Sequence, residues 1–489
     1  MRTLPLTWTA ALLATTSIVA VTSAHAGGFA VREQSTTTQG SSFAGAASHE
    51  SLSSMYWNPA GVTHQSGTNT ESHYAYIIGR SEVTAENYTV EPGPAPGLGG
   101  FNPGTQVTTL GGGNAFDPNP GAEQNNSGNI AKQTVVPASY ANMQMSDQLF
   151  VGVSINNPFG LVTEPSNPQY YGSVLARTSD IFNPVATPTI GYKIMPGIAV
   201  AAGLQVGYLE GTLKFGAAGG NNVYYNGDDF GFGFTLGTTI TPAAGTRIGI
   251  GYRSEMNYTL DGKFADNNDG SQFSAEVDIT TPDVFTVSLH QALTDQTRFM
   301  ATYEWTQWSD FNRLDIVAQQ DGVAPVSLQP NPVFPGLNTL PTQGTSVAGQ
   351  TFASLVTDWD DAWFASVGLE HDHTDYLTFR AGIAYEESPI ARPDQRITGV
   401  PDNDRIWVSG GLTIDAGNSI PNPLATFMGT ESTTKIDLAY THIFVENGEI
   451  ERELISSENI TFHGRAEQSV DIISVGLRTK FGPSHSPLK

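Results

Sequence analysis

The stretch Phe230-Gly231-Phe232-Gly233-Phe234-Thr235-Leu236-Gly237-Thr238-Thr239-Ile240 alternates without a break. Phe230, Phe232, Phe234, Leu236 and Ile240 share one parity with Thr238, while Gly231, Gly233, Thr235, Gly237 and Thr239 hold the other. Successive side chains of a strand point to opposite faces, so such a run has one apolar wall and one small, polar wall. Ile198–Tyr208, Leu377–Glu386 and Ile473–Phe481 repeat the pattern. In a soluble sandwich the polar face meets water and is usually rich in Lys, Glu and Thr. Here it is Gly-rich with charges of both signs, which suits a crowded lumen, and the apolar face carries aromatics, as membrane-interface girdles do.

Connections alternate in length. Short turns fall at Met145–Gln148, Lys193–Gly197, Thr241–Thr246, Thr294–Thr297 and His373–Tyr376, and long Gly/Pro/Asn-rich loops at 81–131, 161–178, 262–273, 309–357 and 387–403. About fourteen strands are predicted, near 68–80, 132–145, 148–157, 180–193, 197–215, 226–241, 246–260, 274–291, 296–307, 359–372, 375–388, 404–415, 432–446 and 468–481. The expected fold class is therefore all-β: a fourteen-stranded antiparallel transmembrane β-barrel, even-numbered as closure requires.

Composition narrows the function. The chain has 489 residues, no Cys and a formal charge of −25, which removes disulfide scaffolds, thiolate zinc sites and cysteine nucleophiles. Such acidity excludes nucleic acid as a partner, because phosphate binding needs a basic patch. The charged fraction of 14% is low for a soluble enzyme, where about a quarter is usual. G-x-S-x-G, H-E-x-x-H and Walker glycine loops do not occur. The acidic stretch Asp266–Gly270 misses EF-hand spacing, and His371-Asp372-His373 would send neighbouring side chains to opposite faces. The expectation is no enzyme, no catalytic residues, no metal and no cofactor.

Residues 1–26 read as a signal peptide, with Arg2, an apolar stretch from Ala10 to Val21, and Ala24-His25-Ala26 as the small-x-small site, so cleavage is expected after Ala26. Loss of Arg2 leaves 21 basic against 47 acidic residues, a formal −26. Residues 27–66 do not alternate; they are small-residue-rich and carry Phe29, Phe43, Met55, Tyr56, Trp57 and Asn58-Pro59-Ala60. A lumen of fourteen strands is too wide for its own side chains to fill, so this segment reads as an N-terminal hatch, a plug inside the lumen. The domain order is then signal 1–26, hatch 27–66, outer-membrane barrel 67–481 and a short tail 482–489.

With that map in place, the chain resembles the outer-membrane long-chain fatty-acid transporter family, which includes toluene- and xylene-uptake channels. The resemblance rests on Gly27-Gly28-Phe29, Asn58-Pro59-Ala60, SINNPFGLVTE (154–164), YRSEMNYTLDGKF (252–264), YEWTQWSDF (303–311), TFRAGIAYEESPI (378–390) and PDNDRIWVSGGL (401–412). It implies passive uptake of a hydrophobic small molecule (fatty acid, alkane or arene) into an internal pocket, with exit through a lateral opening made by a kink in the third strand. The residues Asn156, Asn157, Pro158, Phe159 and Gly160 fit such a kink, since Pro158 donates no ladder bond and Asn and Gly favour non-extended geometry. Phe29, Val31, Arg253, Arg380 and Arg405 are the expected substrate-binding residues. Glu210 on the fifth strand sits where relatives can place a cation, and an acid there would repel a carboxylate headgroup. The 216–225 loop is short where relatives often carry a long one. Expected partners are outer-membrane lipid, lipopolysaccharide and the barrel-assembly machinery, with a monomer in the bacterial outer membrane. A general porin and a structural or adhesive barrel are the competing readings.

Overall fold

Alternation becomes a closed wall in the computed structural model, which describes residues 27–92, 125–168, 170–216, 222–266, 271–319, 349, 351–420, 422–428, 430–455 and 458–482. The expected signal peptide at 1–26, residues 93–124 of the first long loop, 217–221 of the short loop, 267–270 of the acidic loop, 320–348 and 350 of the 309–357 loop and tail residues 483–489 lie outside the described residues.

Fourteen antiparallel strands form the wall. The first six are Thr68–Pro92, Thr134–Gln144, Leu149–Thr163, Thr178–Met195, Ile198–Gly216 and Asn222–Ala243. The seventh to tenth are each built of two segments: Thr246–Arg253 with Met256–Asp266, Ser271–Thr281 with Val284–Ala292, Thr297–Thr306 with Arg313–Ala318, and Thr351–Val356 with Ala362–Thr374. Leu377–Glu386, Arg405–Gly417, Ser432–Val445 (extended by Gly448–Ile455) and Glu458–Phe481 complete it. The last strand pairs with the first from Thr68↔Phe481 to Pro92↔Glu458, so the sheet has no free edge there.

Parity sets the two faces. Phe230, Phe232, Phe234 and Leu236 stand exposed on the outside, as do Leu438, Tyr440, Ile473, Val475 and Leu477. Several strands run further than alternation predicted. The first continues from 80 to Pro92, the fourteenth starts at Glu458 rather than 468, and the third passes through Pro158 to Thr163. Beyond the hydrocarbon band neither face must be apolar, so the hydropathy pattern fades while the backbone ladder persists.

Residues 27–66 fill the lumen. They form a short helix, Thr36–Gln39, and two 3₁₀ turns, Leu52–Tyr56 and Pro59–Thr63, with Ser35, Ser51 and Asn58 accepting the capping amides. Nearly every residue from Gly27 to Thr63 is buried. The wall makes room with glycines: a Cβ on Gly251 would lie 1.8 Å from the Trp57 carbonyl oxygen, and one on Gly249 1.9 Å from that of Ala47. The Gly-rich inner parity is thus the imprint of the hatch.

Candidate functional site

The C-terminal half of the hatch is tied to the wall at two places. Asn58 Nδ2 donates to the carbonyl oxygens of Ala47 (2.9 Å) and Thr238 (3.0 Å) and to Thr239 Oγ1 (3.3 Å), while its Oδ1 accepts from the Ala60 amide (3.0 Å). Pro59 sits at the first position of the following turn, where its missing N–H costs nothing. The Glu71 carboxylate of the first strand accepts from the Leu52 and Ser53 amides (2.8 and 3.0 Å) and from Ser51 Oγ (2.5 Å).

The third strand changes partners midway. It pairs with the second from Gln144↔Phe150 to Ser139↔Ile155, and no further. Its register against the fourth strand slips between Asn156 and Phe159. Past the slip, Val31 N donates to the Pro158 carbonyl (2.8 Å) and Gly160 N to the Phe29 carbonyl (2.9 Å), so the N-terminal segment occupies the edge that the second strand has left. Ala131 bridges Thr163 at the top of this break. Pro158, with no N–H, and the side chains of two asparagines explain why the ladder fails here. Asn157 Nδ2 reaches back to the Pro137 carbonyl (2.9 Å). Asn156 Nδ2 donates to Tyr140 Oη (2.7 Å) and Gln34 Oε1 (3.1 Å), and Gln34 Nε2 donates to the Asn157 carbonyl (2.8 Å). Gln34 therefore joins the hatch to the kink, a role that local sequence gave no sign of.

Behind the break lies a cavity of about 30 Å³, room for about one water. Val31, Arg32, Tyr56, Trp57, Phe159 and Arg253 are among its lining residues. Beside it, Phe29 is boxed by Trp308, Phe311, Phe159 and Trp359, with ring centroids 4.8, 4.9, 5.6 and 6.0 Å away. Trp308 and Trp359 were absent from the expected site, although Trp308 lies within the quoted YEWTQWSDF. Gly28 has φ of +64°, and a Cβ there would be 2.9 Å from Trp359, so a bulkier residue would dislodge Phe29.

Of the five expected substrate-binding residues, the structure brings Phe29, Val31 and Arg253 to this place. Arg253 stacks on the Tyr56 ring (4.3 Å) and donates to Gln205 Oε1 (2.5 Å) and the Tyr56 carbonyl (2.6 Å). Among the described residues no carboxylate forms an ion pair with it, and it is 7% exposed. Arg380 stands apart, in a buried network with Glu370 (2.6 Å), Asp437 (3.7 Å) and Thr413. Arg298 and Arg478 complete that network through Glu370 and Asp437, both at 2.6 Å. Arg405 sits between Asp402 and Glu386, beneath the N-terminal segment. Arg32 bridges Glu304 (2.6 Å) and Glu386 (3.1 Å) under the Phe364 ring. Next to them Glu33 is 2% exposed, and among the described residues its carboxylate has no hydrogen-bond partner beyond its own backbone. Burial pushes its carboxyl up to about 7.

Glu210 corrects one expectation. It is exposed on the outer face, sharing parity with Tyr208, while its neighbour Leu209 is fully buried. Strand alternation sends the two in opposite directions, so Glu210 meets neither lumen nor pocket.

Comparisons with known proteins agree with this architecture. Residues 17–481 match the family model described as outer membrane protein transport protein (OMPP1/FadL/TodX). The long-chain fatty acid transport protein of Escherichia coli K12 is 24% identical over 58% of this chain and 68% of its own length. A 47 kDa outer membrane protein of Pasteurella multocida is also 24% identical, over 84% of this chain and 90% of its own. The crystal structure of a Pseudomonas aeruginosa FadL homologue superposes with a TM-score of 0.74 at 18% identity, covering 92% of this chain and 99% of the other. The toluene transporter TodX of Pseudomonas putida gives 0.56 at 13% identity, covering 91% and 98%.

Proposed function

The chain belongs to the OMPP1/FadL/TodX family of outer membrane transport proteins, and from that premise we propose that it passes long-chain carboxylates or related hydrophobic molecules through its wall at the third strand. The observation that carries the reading is the ladder break at Asn156–Gly160 with the cavity and Arg253 directly behind it. An acyl chain gains roughly 0.8 kcal/mol per CH₂ withdrawn from water, so an aqueous exit is unfavourable and a sideways exit into lipid is not. Phe29, Val31 and Phe159 offer the apolar surface. Arg253, a buried cation with its ring and amide partners but no acid, is suited to a carboxylate headgroup. Since Glu210 faces outward, it does not repel such a headgroup. The cavity is too small for any of these molecules, so the N-terminal segment lining the break moves aside when substrate passes. A lumen filled by residues 27–66 disfavours a general porin.

Export requires removal of residues 1–26 by cleavage after Ala26, and the monomeric barrel is inserted by the assembly machinery among lipopolysaccharide and phospholipid.

The test is uptake of labelled oleate, alkane and toluene by a deletion strain carrying either the parent or a Pro158→Thr/Gly160→Val variant. Continuous strand residues should restore pairing with the second strand and abolish uptake while the barrel stays heat-modifiable. Parental uptake by the variant would remove the lateral exit; no uptake of any compound by the parent would remove the transport reading. Arg253→Met should lower oleate uptake alone, and an equal fall for toluene would deny Arg253 a headgroup role.

A further inference from the structure

Two consecutive main-chain nitrogens at the start of the hatch point at buried carboxylates. Gly27 N lies 3.2 Å from Glu386 Oε1, and Gly28 N lies 3.0 Å from Asp402 Oδ2. The surrounding cluster holds four acids, Glu33, Glu304, Glu386 and Asp402, each no more than 6% exposed. Two cations answer them, Arg32 and Arg405. Arg396 is also buried nearby, but it spends its guanidinium on the main-chain carbonyls of Asp402 (2.7 Å), Ile390 (3.2 Å) and Glu449 and on Asn403 Oδ1. Ser388 Oγ and Trp407 Nε1 add neutral donors to Asp402 and Glu386. Among the described residues the Glu33 carboxylate has no hydrogen-bond partner beyond its own backbone. Buried charges are tolerated when paired, and even with the Glu33 carboxyl pushed up by burial, Glu304, Glu386 and Asp402 outnumber their ion-pair partners Arg32 and Arg405 by one.

We propose that the missing cation is the chain's own α-ammonium group, generated by signal cleavage and seated in the Glu386–Asp402 cage. Hydrolysis of the Ala26–Gly27 bond leaves a carboxylate on Ala26 and an amine on Gly27, which takes up a proton. A single amide N–H thereby becomes three donors and a full positive charge, at an atom already within reach of Glu386. A Cβ on Gly27 would come 3.1 Å from Glu386 Oε1, a tight contact that glycine avoids. Its effect is to hold Phe29 in its aromatic box and Val31 on the Pro158 carbonyl, closing the break in the wall. The inference rests on the cleavage position and is independent of which molecule is carried.

Purified mature protein in detergent is treated with acetic anhydride over a pH series, and acylation of the N-terminal peptide is read by mass spectrometry, which also identifies the first residue. An ordinary α-amine titrates at about 7.7–8.0. The expected result is a chain starting at Gly27 whose labelling midpoint lies at least a unit higher, slowing the reaction at pH 8 at least about fourfold relative to unfolded protein. Burial alone slows labelling without raising the midpoint. Inserting two alanines between Ala26 and Gly27 moves the amine out of the cage and should return the midpoint to the ordinary range; Asp402→Asn should lower it. A first residue other than Gly27, an ordinary midpoint in the parent, or a midpoint indifferent to both variants would overturn the proposal.

Discussion

Replacing Asn58 with alanine removes one side chain that caps a hatch turn and fastens the hatch to the sixth strand. Three donor contacts and one acceptor contact go with it, at 2.9 to 3.3 Å, all within or beside a fully buried position. Loss of an N-cap costs about 1 kcal/mol, and each buried carbonyl left without a donor adds about 1–3 kcal/mol before relaxation. The Ala47 and Thr238 carbonyls lose this donor, and water entering beside them recovers part of the loss. A net shift of about 2–4 kcal/mol in hatch opening is the result, which multiplies the open population about 30- to 1000-fold. Hydrogen exchange read by mass spectrometry on the protein in nanodiscs measures this directly. Peptides spanning 40–66 should exchange faster by that factor, while wall peptides such as 470–480 keep their parental rates. Hatch exchange within about threefold of the parent would refute the hydrogen-bond reasoning. A parallel rise in hatch and wall would mean that Asn58 supports the whole fold instead.

Glu33→Gln tests the buried acid. Its folded carboxyl is raised from 4.5 to about 7, so between those values the native state keeps a proton that the unfolded chain has lost. Stability from this group is therefore full below pH 4.5, falls as pH rises to 7, and stays low above it, a loss of at most about 3 kcal/mol. The glutamine variant should flatten that slope and melt higher than the parent at pH 8; parallel pH profiles of the two proteins would contradict it. If the α-ammonium occupies its cage, the slope is smaller in the mature chain than in the two-alanine insertion variant. Gly251→Val drives a Cβ into the Trp57 carbonyl, so the hatch cannot seat. Liposome conductance should rise while the barrel remains heat-modifiable, and parental conductance would show that the hatch does not close the lumen there.

Much of this molecule is readable along the chain, and the failures have physical causes. The wall is legible because a strand between lipid and lumen must alternate, and Phe230–Ile240 does so in every position. Strand ends are not: Ser81–Pro92 and Glu458–Gln468 pair through backbone bonds that any side chain allows. Glu210 was legible by its parity with Tyr208, and the resemblance to a family misplaced it. The kink at Asn156–Gly160 is visible in residues that cannot extend a ladder, yet its partner Gln34 lies more than a hundred positions earlier.

The sequence by itself determined a cysteine-free, acidic, fourteen-strand wall, since period two and turn spacing are local properties. Tertiary structure alone decided how the hatch is seated: which glycines receive it, how Trp308 and Trp359 enclose Phe29, and why Glu33, Glu386 and Asp402 gather around the start of the segment. Those are contacts between residues hundreds of positions apart, set by barrel closure and by the depth to which residues 27–66 descend, and no local pattern encodes them.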